Sequence, residues 1–184
     1  FERSRYASIR RSVCGSLKGK ILDAGCGTGR NFPHYPKGVS VVGVDRAARM
    51  LKVAQDRVDS SDASIVTKAM DLRKLEFSDN DFDAAMASFV LCVMPKEMEK
   101  EALREVVRVV KPGGRMYFLE YVYSNDFSRR FRMKATSFIP RLLYGMRFNS
   151  TLPVIEAEAG VEVEKVSFVS DDVIRLIVAK KINE

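Results

Sequence analysis

Residues 21–30 read ILDAGCGTGR. Ile21 to Ala24 has the character of a short buried strand, and it runs directly into Gly25, Gly27 and Gly29. A glycine-rich turn between a first strand and a helix brings backbone N–H groups close to a ligand. A dinucleotide fingerprint, G-x-G-x-x-G, would need glycine at position 30; that residue is Arg30, and the third glycine falls one residue early. No G-x-x-x-x-G-K-[ST] is present, which excludes a nucleoside-triphosphate loop of that kind.

The next acid extends the reading. Asp45 ends a second apolar strand over 40–44, twenty residues after Gly25. A carboxylate there accepts two hydrogen bonds from a ribose diol. The ligand therefore carries a ribose, and the glycines face its other half, which need not be a pyrophosphate. Asp71 follows a third strand (64–69) and is placed to read an adenine amino group, with Leu72 and Met50 as apolar walls. Ser88 and Phe89 follow a fourth strand (82–87), over the mouth of the site. All these positions lie at carboxyl ends of strands, where open α/β sheets bind ligands.

The rest of the chain supplies the frame. Tyr6, Ile9, Val13 and Leu17 predict a helix over 1–17, and Pro33 and Pro36 allow only a short helix over 29–35. Met50, Leu51, Ala54 and Val58 share one face of a helix over 47–58. Residues 97–110 form the clearest helix, stopped by Lys111-Pro112-Gly113-Gly114 ahead of a fifth strand over 115–120. A basic amphipathic stretch over 126–148, broken at Pro140, reads as a lid or insert. A helix over 152–159 and two strands, 161–169 and 173–180, close the chain. Alternating strands and helices mean a parallel sheet between helical layers. The tight turn Ser170-Asp171-Asp172 forces one terminal strand to run antiparallel near an edge. The expected fold is α/β: one domain over 1–184, a three-layer αβα sandwich on a mostly parallel, seven-stranded sheet.

Composition narrows the class. With 184 residues and 46% apolar content, the chain has room for a core. No apolar run reaches the roughly 18 residues of a membrane-spanning helix. Cys14, Cys26 and Cys92 are odd in number and lack CxxC spacing, which argues against a disulfide framework or zinc site and for reduced, intracellular thiols. The net charge of +7 is concentrated. Residues 1–20 hold six Lys/Arg and one Glu, residues 129–147 six Lys/Arg and no acid, and the remainder is net acidic. Those two segments predict an anionic partner: phosphate, RNA or an anionic membrane. The chain opens at Phe1, so a targeting signal, a mitochondrial one included, is expected only upstream.

DAGCGTG, VVGVD, MDLRKLEFSDNDFD and LREVVRVVKPGGR, in that order, resemble successive motifs of class I S-adenosylmethionine-dependent methyltransferases, which have a Rossmann-like fold. GTGRNFPHYP, LEYV and IEAEAGVEVEKV are similar to the branch with phosphatidylethanolamine, ubiquinone/menaquinone and small-thiol methyltransferases. That branch often has His where this chain has Tyr121. The resemblance implies S-adenosylmethionine as cofactor. Gly25, Cys26, Gly27 and Gly29 would line its methionine part, with Asp23 at the amino group and Asn31 near the carboxylate. Asp45 and Arg46 would meet the ribose, Met50, Asp71 and Leu72 the adenine, and Ser88 and Phe89 the sulfonium.

The methyl donor arrives activated, so the protein's task is to align a nucleophile and exclude water. An oxygen or carbon acceptor also needs a base, for which Glu120, Tyr121, Tyr123 and His34 are the candidates; a thiol or neutral amine needs little help. The expected activity is methyl transfer to a small, apolar or membrane-associated acceptor. The alternatives are RNA methylation and a catalytically silent scaffold in a ribonucleoprotein or membrane complex. SFVLCVM after the fourth strand lacks the motifs of base-modifying enzymes.

Overall fold

The computed structural model describes residues 5–136 and 151–182. Helices α1 (Arg5–Cys14), α2 (Ala48–Asp59), α3 (Lys96–Val109), α4 (Phe127–Thr136) and α5 (Leu152–Glu156) surround seven strands. These are β1 (Lys20–Ala24), β2 (Ser40–Asp45), β3 (Ser64–Ala69), β4 (Phe82–Ser88), β5 (Val110–Tyr121), β6 (Val161–Ser170) and β7 (Ile174–Lys181). The break expected at Pro140, and the basic segment beyond Thr136, lie outside the described residues.

The sheet order is β3-β2-β1-β4-β5-β7-β6. Every neighbouring pair from β3 to β5 is parallel. β7 runs antiparallel to both β5 and β6, so it alone opposes the others, one place in from the edge. The hairpin between β6 and β7 turns at Asp171, whose φ is 47°. Strand order reverses at β1, which lies between β2 and β4. Such a switch point opens a crevice at the carboxyl ends of the strands.

Alternation along each strand feeds two cores. Leu22, Val42, Ala85 and Phe118 face α3 and α5, where Leu103, Val106 and Ile155 are buried. Ile21, Val41, Ala84 and Leu119 face the other way, toward Ile9 and Val13 of α1 and Ala54 of α2. The three-layer sandwich follows from that period of two.

Four local expectations are corrected. Lys111–Gly114 does not separate α3 from the next strand: β5 begins at Val110, and these residues bulge as the pairing jumps from Phe82↔Val110 to Ala84↔Arg115. The first helix ends at Cys14 rather than residue 17, and α5 spans five residues. Met50 is 39% exposed, because α2 is rotated to put Ala54 inward.

Candidate active site

The glycine turn leaves β1 at Ala24 and is latched to β2 by Cys26 N–H donating to the Val44 carbonyl at 3.0 Å. Gly25 and Gly27 have φ of 69° and 54°, a region L side chains rarely adopt. At Gly25 space matters too: a Cβ would meet Val90 Cγ2 at 2.3 Å. At Gly27 there is room, so conformation alone excludes a side chain. Gly27 N–H donates to Asp45 Oδ2, and Ala47 N–H to Asp45 Oδ1, both at 2.9 Å. Cys26 is buried within the turn, and burial pushes its thiol pKa up, so it is an inert packing group.

Two lobes of one cleft lie over the ends of β1, β2 and β4. The first, about 200 Å³, is lined by Asp45, Arg46, Met70, Asp71, Leu72 and the Val90–Met98 region. The second, about 280 Å³, is lined by Arg10, Cys26, Gly27, Asn31, Ser88 and Phe89 among others. Gly25, Asp45, Val90 and Val93 border both. Asp71 is held by Arg73, whose Nη2 donates at 2.7 Å and whose backbone N–H donates at 2.9 Å; these bonds hold its pKa down at about 2.

Beneath the second lobe lies a buried polar chain. Asp23 is fully buried and accepts Asn31 Nδ2 at 3.0 Å on each oxygen and the Tyr35 hydroxyl at 2.9 Å. Burial raises the Asp23 pKa to about 6 against the opposing pull of these bonds and of Arg10. Asn31 Oδ1 accepts Arg10 Nη1 in turn. At the mouth, Phe89 stacks on Tyr121 with ring centroids 4.5 Å apart, and Tyr6 of α1 meets both rings edge-on. Phe89 holds φ at 56°, strained for a bulky residue, with Arg10 over its ring at 5.5 Å.

Several predicted site residues take other places. Asp23 lies behind Asn31 and borders neither lobe. Gly29 and Met50 are absent from the lining. Glu120 is 2% exposed and accepts Thr151 N–H at 2.7 Å, the Thr151 hydroxyl, and Arg175 Nε and Nη2 at 2.9 and 2.8 Å. That buried ion pair ties β5 to β7 and removes Glu120 as a base. Tyr121 contributes its ring to the aromatic cluster. His34 is half-exposed, does not border either lobe, and has its pKa lowered by partial burial and by Arg11 and Arg10. Sequence reading missed Arg10, Met70, Val90, Val93, Met94 and Met98. Only Met70 carried a signal, beside Asp71.

An apolar lobe edged by a carboxylate, Asp45 at the joint and a polar lobe with a buried cation fit S-adenosylmethionine along its length. Fold and cleft together define an α/β domain of the nucleoside-binding, group-transfer type. A family model described as a methyltransferase domain matches residues 21–114, and the chain belongs to that family. A phosphatidylethanolamine N-methyltransferase of Cereibacter sphaeroides is 34% identical over 113 residues, 60% of this chain and 52% of that protein. The human thiol S-methyltransferase TMT1A is 30% identical over 126 residues, 66% of this chain and 50% of that protein. The chain thus spans about half the length of these curated relatives. In fold, it superposes on a SAM-dependent methyltransferase from Methanosarcina mazei with a TM-score of 0.66 at 22% identity, covering 90% of this chain and 93% of that one.

Proposed function

We propose that this chain transfers a methyl group from S-adenosylmethionine to a thiol or amine on a small, apolar or membrane-associated acceptor. The bound cofactor supplies an activated methyl group. The chain's own residues then position and shield: Asp45 and the glycine turn orient the donor, and Phe89, Tyr121 and Tyr6 exclude water.

The observation that carries the acceptor class is the lining of the second lobe. Among the described residues, its one carboxylate is Asp45, already accepting two backbone N–H groups. Glu120 is engaged elsewhere and His34 stands outside. A nucleophile that arrives with its own lone pair suits such a site; a carbon acid does not. The two relatives act, by name, on an amine lipid and on thiols.

The partner surface follows from α4. It buries none of its residues, and Phe127 and Phe131, one turn apart, are 83% and 66% exposed. Exposed Arg130, Arg132 and Lys134 flank them. Lys134 sits over the Tyr123 ring at 5.9 Å, which places α4 at the cleft end of the sheet. Aromatic groups among cations suit an anionic membrane surface, from which an apolar acceptor reaches the cleft.

Methyl-labelled cofactor offered with an alkyl thiol, phosphatidylethanolamine vesicles, a reduced demethylated quinone and RNA tests the reading. Label in the thiol or the amine lipid is expected. Label confined to quinone or RNA overturns it.

A further inference from the structure

We propose that β3 is a self-pairing edge, along which two copies of the chain join antiparallel into one continuous sheet with a two-fold axis at Val66. That pairing asks nothing of the cofactor cleft.

The sheet ends in β3 on one side and β6 on the other, and the two edges differ. β6 carries Glu162, Glu164 and Lys165, and its pairing with β7 slips at Val163/Lys165 and again at Phe168/Ser170. Charges and bulges of this kind keep a strand edge from pairing with another chain. β3 lacks such protection. Its register with β2 runs unbroken from Ser40↔Ser64 to Asp45↔Ala69. It has no proline, a single charge at Lys68, and the β-branched run Ile65-Val66-Thr67. Val66, in that run, is 54% exposed.

The backbone fixes which groups face out. Ser64 N–H donates to the Val39 carbonyl at 3.0 Å, and Met70 N–H to the Asp45 carbonyl at 3.2 Å. Even-numbered residues of β3 therefore bond to β2, while Ile65 and Thr67 turn N–H and C=O away from the sheet. Among the described residues, no strand pairs with that side. A closed pair of identical copies has two-fold symmetry, which makes the two β3 strands antiparallel. Setting Ile65 against the partner's Thr67, and Thr67 against the partner's Ile65, forms four main-chain hydrogen bonds.

That register is self-complementary. It puts Val66 opposite the partner's Val66 at a non-hydrogen-bonded position, where side chains approach most closely. Ser64 faces the partner's Lys68, so like charges do not meet. The diagonal neighbour of Lys68 is the partner's Asp62, an exposed acid just ahead of the strand, and the symmetry makes that contact twice. A shift of two residues either way sets Val66 against Ser64 or Lys68 and loses its apolar partner. Antiparallel pairing also sends the two clefts to opposite ends of the joined sheet, so each copy keeps its own site.

Sedimentation velocity on the purified chain over a concentration series measures self-association, and a dimer is expected. Cys14, Cys26 and Cys92 are all buried, so Val66→Cys introduces an accessible thiol against a silent background. Mild oxidation should link that variant into a covalent dimer, because Cα atoms of such a pair lie about 4.5 Å apart, within disulfide reach. Ser64→Cys, opposite Lys68, should not link. Thr67→Pro removes an outward N–H and spares the bonds to β2, so it should give a monomer with an unchanged circular dichroism spectrum. Lys68→Asp should weaken the dimer by about twofold to thirtyfold, and adding Asp62→Lys should restore it. Val166→Lys on the β6 edge should leave the dimer intact. A wild type that stays monomeric at every concentration overturns the proposal, as does a dimer that persists in Thr67→Pro. Association that continues past the dimer overturns it too, because the edge is then open and aggregating. A monomer whose Ile65 and Thr67 amides gain hydrogen-exchange protection only in cell extract gives the edge to another protein and equally defeats self-pairing.

Discussion

Asp45 accepts the N–H of Gly27 on one carboxylate oxygen and the N–H of Ala47 on the other, both at 2.9 Å. One side chain thus shapes the glycine turn and the entry to α2 while retaining lone pairs for a ligand diol. Asp45→Ala should weaken S-adenosylmethionine binding by about tenfold to several hundredfold, since two charge-assisted bonds and the shape of the turn are lost together. Asp45→Asn keeps one acceptor and should fall between. Calorimetry at fixed ionic strength measures both, and equal affinity in Asp45→Ala and wild type would exclude a ribose contact.

The parts of this site legible in the sequence are those set by neighbours along the chain. A strand that ends in glycine, or in Asp45 or Ser88, puts that residue at the sheet's carboxyl rim whatever the rest of the fold does. Arg10 was illegible because its place depends on how α1 docks across the mouth, and a basic helix reads as a solvated one. Val90, Met94 and Met98 carried no signal, since apolar walls and apolar cores share one composition. Met50 failed by the rotation of α2, where one residue turns the face by about 100°. The role of Glu120 depended on the β5–β7 register that sets it opposite Arg175, 55 positions away.

That pairing gives a second prediction. Glu120→Gln removes the carboxylate that accepts Arg175 Nε and Nη2, in a pair whose side chains are 2% and 15% exposed, and should cost about 3–5 kcal/mol of stability. Glu120→Gln combined with Arg175→Met should recover much of the loss. Cofactor affinity of the folded fraction should not change. Denaturant unfolding of the three variants measures this; full stability in Glu120→Gln with lost turnover would return Glu120 to a catalytic role.

Asp23 supplies a pH dependence. Its folded pKa is raised from the ordinary 3.8 to about 6, so the folded state holds a proton there that the unfolded chain has released. The resulting stabilisation is fully present below about 3.8 and is lost as the pH rises through about 6. Across that window the wild type should gain on Asp23→Asn as the pH falls, by roughly 1.4 kcal/mol per pH unit. Thermal melts of both proteins between pH 4 and 8 measure the difference. A constant gap across the window would mean that Asp23 titrates as an ordinary carboxylate.

The surface of α4 separates two kinds of anionic partner. Phe127 and Phe131 stand in solvent and contribute nothing to the core, so replacing both by Ser should leave the melting temperature within a degree or two of wild type, as for other exposed positions (about ±0.5 kcal/mol). A membrane-binding helix would lose apolar insertion. Sedimentation with vesicles rich in anionic lipid should fall steeply in the double variant, while Arg130→Ala and Lys134→Ala should weaken binding more at low salt than at high salt. RNA held by phosphate contacts would respond to the basic substitutions with a similar salt slope. It would respond less to the aromatic ones, because an RNA surface loses only stacking there. Vesicle binding undiminished by loss of both phenylalanines would therefore rule out an inserted helix and leave α4 a purely electrostatic surface.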